Sequence, residues 1–463
     1  MTANEVFLVT AGESANAEVS EVPEKDALCG VCDPVTHDVI AVGCGPSNLS
    51  LAALATEVDG LDVAVLEAAD SFEWHSGMMF PGAQLQVSPI KDLVSLVSPT
   101  NPFSFLNFVV SQGRIYRFLV SSRGGVTRRE FEQYYAWAAQ RVGSVRFGHR
   151  VLSARWDGTK FEVVTSQGSH FGRALVLGTG SVPRVPACAR ELLGPEVFHV
   201  SEYLNAPRDT SGRRVLVAGG GQSGAEVVKH LLSAPGELPG ELTWLLGRDG
   251  VAPLDDSAFA NDWFTPSAVR YFNERAVVER DRLLDVQRYA SDGVSEDLAA
   301  QIYRRLYELD YLEPPGPDPF SYAVLPGARL SELSERGDGA YTARVSGPDA
   351  GSERKLCADI VVLATGFEQR LPSYVSAPLL VNDDGTPRAR QDYRVSAGQC
   401  PVYVQNGARR SHGVADPNLS LSAWRSAVIL NSVAGRQVFK TDGYSTALAL
   451  ESGQHENAQA LLR

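Results

Sequence analysis

His37-Asp-Val-Ile-Ala-Val-Gly-Cys-Gly-Pro-Ser-Asn48 is a short apolar run that breaks on a glycine turn and passes directly into the helical pattern Leu49-Ser-Leu-Ala-Ala-Leu-Ala55. Glycines permit a tight strand-to-helix turn and let the backbone approach a pyrophosphate, while the helix start offers N–H groups at the positive end of its dipole. A second strand, Leu61-Asp-Val-Ala-Val-Leu66, follows at the spacing of a βαβ unit and ends on Glu67, where an acid accepts from ribose hydroxyls. Gly43, Gly45, Pro46, Ser47 and Asn48 are therefore the expected cradle of one dinucleotide, with Glu67 on its ribose.

The pattern recurs. Arg214-Val-Leu-Val-Ala-Gly219 leads through Gly220, Gly221, Gln222 and Ser223 into a helix ending near Leu232, and the strand Glu241-Leu-Thr-Trp-Leu-Leu246 follows. It is succeeded by Gly247-Arg248, so no carboxylate stands at the ribose position. An acid there would repel a 2′-phosphate and an arginine can pair with it, so the second unit favours NADP(H). Two further apolar strands, at 174–180 and 359–366, close on a Thr-Gly turn, the latter through Thr365 and Gly366. Such ends suit sheets whose carboxyl edges meet a dinucleotide. The expected fold class is α/β, with two Rossmann-like dinucleotide-binding domains.

Composition bounds the rest. A chain of 463 residues that is 44% hydrophobic can bury more than one core. Its apolar runs stop short of the roughly 18 residues of a membrane span, so a soluble protein is expected. A net charge of −13 disfavours nucleic acid as a partner. Six cysteines in so long a chain form no disulfide framework, and the cytoplasm is the simpler setting. The first 36 residues carry seven acids against Lys25 and read as an acidic tail rather than a secretory or transit segment. Cys29 and Cys32 lie in that tail as a lone C-x-x-C, read as two free thiols, and no metal site is expected.

In a two-dinucleotide oxidoreductase one dinucleotide is usually a resident flavin and the other a hydride donor. A disulfide reductase would need a cysteine pair near the flavin, but Cys44 is single and Cys188, Cys357 and Cys400 are scattered. Oxygen is the alternative acceptor. At this point the chain resembles the N-hydroxylating flavin monooxygenases, which act on lysine, ornithine and diamines in hydroxamate siderophore assembly. The resemblance spans about residues 37 to 435. Besides the two glycine loops it is carried by Phe72-Glu-Trp-His75, Leu85-Gln-Val-Ser-Pro-Ile-Lys-Asp-Leu-Val94, Phe259-Ala-Asn-Asp262, Ala364-Thr-Gly-Phe367 and His412-Gly-Val-Ala-Asp-Pro-Asn-Leu-Ser-Leu421.

The resemblance implies FAD in the first loop and NADPH in the second, with Gln222, Ser223 and Arg248 on NADP(H). It places Trp74 and His75 against the flavin, Gln86 near its ring, Lys91 and Asn261 on the substrate, and Leu419 and Ser420 where the pocket closes. It implies hydride transfer to FAD, addition of O2 to give a flavin hydroperoxide, and attack by a neutral amine. It also implies association into dimers or tetramers. His199 keeps the His-x-x-x-Tyr end of a fingerprint of sulfur- and carbonyl-oxidising cousins without the part that precedes it. Both His199 and His412 have structural readings as well.

The substrate is expected to be a small aliphatic amine or amino acid. Arg288-Tyr-Ala-Ser-Asp-Gly293 stands where ornithine hydroxylases carry an Asn-Tyr pair, which favours lysine or a diamine over ornithine. Alternatives are a flavin monooxygenase acting on sulfur or a ketone, and a non-catalytic flavoprotein. The expected domains are a FAD domain at 37–205, an NADPH domain at 206–350, and a return to the FAD domain with a pocket-closing segment at 351–463. Apolar positions Leu298, Ile302, Leu306 and Leu309 predict an amphipathic helix, assigned to a substrate-side insertion at about 285–320. Glu313-Pro-Pro-Gly-Pro-Asp-Pro319 reads as a stiff linker.

Overall fold

Val39, Ile40, Ala41 and Val42 are all buried, as a parallel strand covered on both faces requires. In the computed structural model the strand Thr36–Val42 is flanked by Val63–Leu66 on one side and Gly168–Leu177 on the other, both parallel, with Val42 opposite Leu66 and Leu177. The structure describes residues 35–121, 125–206, 208–233, 238–313, 320–347, 352–444, 446–448 and 450. The acidic tail through residue 34, with Cys29 and Cys32, and the linker prolines lie outside the described residues.

Eight strands make the first sheet. The outer edge of Gly168–Leu177 is shared: its first half pairs antiparallel with Phe161–Thr165, and its last residues pair in parallel with Val402–Val404. The C-terminal segment thus enters the sheet at the edge where the first glycine turn lies, and the helix Ser422–Ala434 packs on the helix Pro46–Ala55.

The second sheet is wholly parallel, in the order Ser321–Leu325, Glu241–Leu245, Arg214–Ala218, Ile360–Leu363, Val197–His199. Connections leave Arg214–Ala218 towards one side, while its other neighbour comes from far along the chain. The crevice at such a reversal, outside the carboxyl ends of the strands, is where open α/β sheets bind ligands.

Two assignments made from sequence change. Val197–His199 and Ile360–Leu363 join the second sheet, although the boundaries at 205 and 350 place them with the FAD domain. Short apolar strands read alike in either sheet, and long-range pairing decides between them. The amphipathic helix is Glu296–Tyr311, and its Leu298 and Ile302 are buried in the core of the second sheet. It is the crossover between Glu241–Leu245 and Ser321–Leu325 and packs on the helix Gln222–Ser233. The helical excursion proper comes earlier, in Ala258–Asn261, Pro266–Asn273 and Val277–Val286. Among the described residues no helix is long and apolar enough to cross a membrane, and no group of three or more metal-ligating side chains is assembled.

Candidate active site

The two glycine turns are built alike. Gly43 has φ +89°, and a Cβ there would lie 2.7 Å from the Gly178 carbonyl oxygen. Gly219 has φ +135°, and its Cβ would lie 2.0 Å from the Ala364 carbonyl oxygen. Each turn is pressed against the carboxyl end of the neighbouring strand, a position open only to a residue without a side chain. Gly45 and Gly221 behave differently, because a Cβ on either meets nothing within 4 Å. Their open faces look out of the sheet at the helix starts, where first-turn N–H groups lack intrahelical acceptors.

In the first loop, Gly45 is the N-cap and Pro46 opens the helix. Asn48 is fully buried, and its amide donates to the Val42 and Gly43 carbonyls at 3.0 and 2.9 Å, so it braces the turn from behind. The Glu67 carboxylate accepts from Cys44 N at 2.7 Å and Ala69 N at 2.9 Å, which fixes it at the mouth of the loop with lone pairs to spare for ribose hydroxyls. Burial, with a contribution from Glu67, pushes the Cys44 thiol up to about 12, so it stays protonated and is no redox nucleophile. An open glycine face, a helix start and a held carboxylate fit the adenosine diphosphate half of FAD.

In the second loop, the Gln222 amide donates to Glu226 at 2.9 Å and its oxygen accepts from Ser295 N at 2.9 Å. Glu226 is gripped by both terminal nitrogens of Arg128 at 2.9 and 2.7 Å, from the start of the helix Arg128–Arg141. Ser223 stands half-buried in the first helical turn. Arg248 donates to the Asp292 carbonyl at 2.8 Å and lies 5.4 Å from the Tyr289 ring centroid. The Thr365 hydroxyl donates to the Arg184 carbonyl at 2.5 Å, closing the turn beside Gly366. One guanidinium nitrogen of Arg248 is committed to a backbone carbonyl, which leaves its other N–H donors for a ligand. Arg248→Ala is expected to raise the KM for NADPH about 10-fold or more while the protein purifies with its flavin. An unchanged KM would remove Arg248 from the cofactor site.

Lys91 and Ser420 are 329 residues apart in sequence and meet at 3.2 Å, Nζ donating to Oγ. Ser420 is buried and its N–H donates to Asn418 Oδ1 at 2.8 Å; Leu419 beside it is half-buried. Desolvation holds the Lys91 pKa below its ordinary value. Its neighbour Asp92 gives it no counter-charge. That carboxylate is buried and accepts from Val94 N, Ser95 N, Ser95 Oγ and Phe105 N at 2.6–2.9 Å, organising its own loop. Among the described residues no carboxylate lies within ion-pair distance of Lys91, so a half-buried cation is left for an anion from outside.

Trp74 and His75 lie together, ring centroids 5.3 Å apart, and Trp74 meets Tyr135 edge-on at 5.3 Å. His75 has left-handed backbone, φ 51°. Its ring is open to solvent yet walled by protein, and this desolvation first, then Arg128, lowers its pKa. Gln86 is exposed. Asn261 is also exposed, its amide donating to the Asp256 and Ser257 carbonyls at 2.8 and 3.2 Å, so the structure brings Lys91 and Ser420 into contact but not Asn261 with either.

His199 and His412 have structural occupations. His199 bonds Gly366 O through Nε2 at 3.0 Å and accepts from Ser201 N through Nδ1 at 3.2 Å, which assigns the neutral Nε2–H tautomer. His412 is buried and stacked on Tyr393 with centroids 4.0 Å apart. Sequence reasoning missed Arg128 and Arg425. The signal for Arg425 was present: a charged residue inside the apolar run Ala423-Trp-Arg-Ser-Ala-Val-Ile429.

Residues 35–369 match the L-lysine 6-monooxygenase/L-ornithine 5-monooxygenase family. The chain is 38% identical to L-lysine N6-monooxygenase of Escherichia coli over 411 residues, 87% of this chain and 95% of that protein. The FAD-bound cadaverine monooxygenase of the desferrioxamine pathway from Erwinia amylovora superposes with a TM-score of 0.82 at 28% identity, covering 90% of this chain and 99% of that one. The ornithine N-hydroxylase of Kutzneria sp. 744, solved with reduced FAD, NADP+ and L-ornithine, gives 0.78 at 30% identity, covering 87% and 99%. This chain belongs to the L-lysine 6-monooxygenase/L-ornithine 5-monooxygenase family and is an FAD- and NADPH-dependent amine N-hydroxylase.

Proposed function

We propose that the amine is L-lysine, hydroxylated on its side-chain nitrogen. The observation that carries this reading is the uncompensated Lys91 ammonium in contact with Ser420. An α-carboxylate completes that pair, and a diamine has none to offer. The identity to a lysine N6-monooxygenase supports the same substrate, and the absence of an Asn-Tyr pair at 288–293 disfavours ornithine.

Bound FAD supplies the electron transfer and the activation of O2, with NADPH as hydride donor. The chain's own part is placement. Lys91 anchors the carboxylate, the Ser420 hydroxyl adds a donor beside it, and the far end of the substrate is held at a fixed reach from that anchor. An alkyl ammonium loses its proton only near pH ~10 in water, so a water-poor pocket that disfavours the charged form raises the fraction able to react.

The test is hydroxylamine formation measured beside NADPH consumption with L-lysine, cadaverine, putrescine and L-ornithine. L-Lysine should exceed cadaverine in kcat/KM by about 10-fold or more, the value of one charge-assisted hydrogen bond. Cadaverine used as well as L-lysine would overturn the carboxylate anchor and favour the diamine reading, for which the Erwinia enzyme is the precedent. Association of copies is supported by the exposed apolar side chains Leu106, Val110, Tyr116, Leu119 and Val120. A cytoplasmic setting is supported by the free thiols Cys44, Cys188, Cys357 and Cys400.

A further inference from the structure

Arg425, in the helix Ser422–Ala434, is 1% exposed, and a charge at such a depth is tolerated only when paired and hydrogen-bonded. Asp416, equally buried, provides the pair at 3.4 Å from Nη1 to Oδ1, and its backbone carbonyl accepts from the same nitrogen. Nε donates to Gln405 Oε1 at 2.9 Å. Nη2 reaches out of the C-terminal segment and donates to the hydroxyl of Ser47 at 3.1 Å. The Ser47 carbonyl is held as well, accepting from Gln405 Nε2 at 3.0 Å and Ser426 Oγ at 3.3 Å. Three side chains from beyond residue 400 thus converge on one residue in the first turn of the FAD-loop helix.

The polarity of this contact has a consequence. A guanidinium has donors only, so the Ser47 oxygen must accept, and the serine's own proton is left to donate elsewhere. Ser47 sits beside the open face of Gly45 at a helix start. We propose that Arg425 is a positioning residue for the cofactor: it fixes the Ser47 hydroxyl as a hydrogen-bond donor to the FAD pyrophosphate and brings a positive charge to within one hydroxyl of it. Asp416 balances that charge through a different nitrogen. It also accepts from Ala408 N at 2.6 Å and opens the segment that ends at Ser420, so one buried pair braces both the cofactor loop and the partner of Lys91.

The test is the FAD dissociation constant, read as flavin fluorescence released on dilution of the full-length holoenzyme, with melting of each apo-protein measured in parallel. Ser47→Ala should weaken FAD about 10-fold, the value of a hydrogen bond to a charged group. Arg425→Lys keeps the charge but loses the fork, and should weaken FAD by a similar factor. The double variant should be no worse than about 10-fold, because the arginine acts through the serine. Arg425→Met with Asp416→Asn leaves no unpaired buried charge and guards against misfolding; it too should weaken FAD about 10-fold. Unchanged FAD affinity in Ser47→Ala, or losses that multiply to about 100-fold in the double variant, would overturn the proposal. So would Arg425→Lys that lowers the melting temperature while binding FAD normally, since that is the signature of packing alone.

Discussion

Lys91→Ala is expected to raise the KM for L-lysine roughly 10- to 100-fold while NADPH still reduces the flavin at close to its normal rate. The range is that of one hydrogen-bonded charge pair, about 1.5–3 kcal/mol. The split between the two steps is the point of the experiment. Lys91 touches Ser420, and among the described residues no hydrogen bond or ion pair joins it to the second glycine loop. Stopped-flow reduction by NADPH and steady-state KM measure the two steps separately, and an equal loss in both would contradict a substrate-anchoring role. A pH profile gives a second reading. Desolvation lowers the Lys91 pKa, so the anchor loses its charge at a pH below that of a solvated lysine. As pH rises, kcat should climb while the substrate amine becomes neutral, and kcat/KM should turn down once Lys91 deprotonates. The downturn should vanish in Lys91→Ala.

Gly219→Ala and Gly221→Ala should fail in different ways. At Gly219 the new methyl meets a carbonyl oxygen at 2.0 Å, and the backbone at φ +135° is foreign to alanine. Strain of this kind costs about 1–3 kcal/mol before any displacement of Ile360–Leu363, so the variant should melt earlier and lose NADPH-dependent flavin reduction altogether. At Gly221 the methyl finds empty space on the protein side. Stability should stay within about 0.5 kcal/mol of the parent, while flavin reduction by NADPH falls about 100-fold, because the methyl occupies the face where the pyrophosphate approaches. A Gly219→Ala protein that melts normally would show that the close approach relaxes freely. Normal NADPH use by Gly221→Ala would show that this face is not the cofactor's.

Much of the site was legible because its signals are local. Glycine spacing, strand-to-helix order and the terminal Glu67 all lie within about 30 residues, and short-range patterns survive in sequence. The absence of an acid before Arg248 is likewise a one-residue reading. Gln222 was assigned to NADP(H), and the structure adds what the motif did not contain: its amide is committed to Glu226 and Ser295. The apolar positions Leu298, Ile302, Leu306 and Leu309 located the helix Glu296–Tyr311, but not its role. Periodicity reports that one face is apolar and says nothing of which surface covers it.

The sequence by itself determined the α/β class, the two dinucleotide units and the glycines that turn each one. Each depends on residue type and near-neighbour spacing. The tertiary structure decided which sheet takes Val197–His199 and Ile360–Leu363, that Asp92 turns away from Lys91 into its own loop, and that Ser420 arrives from 329 residues away to meet that cation. It also decided that the buried Arg425 ends on the FAD loop. Pairing and burial of this kind are fixed by which segments pack together, and the free energy that selects them is spread over contacts that no short stretch of chain encodes.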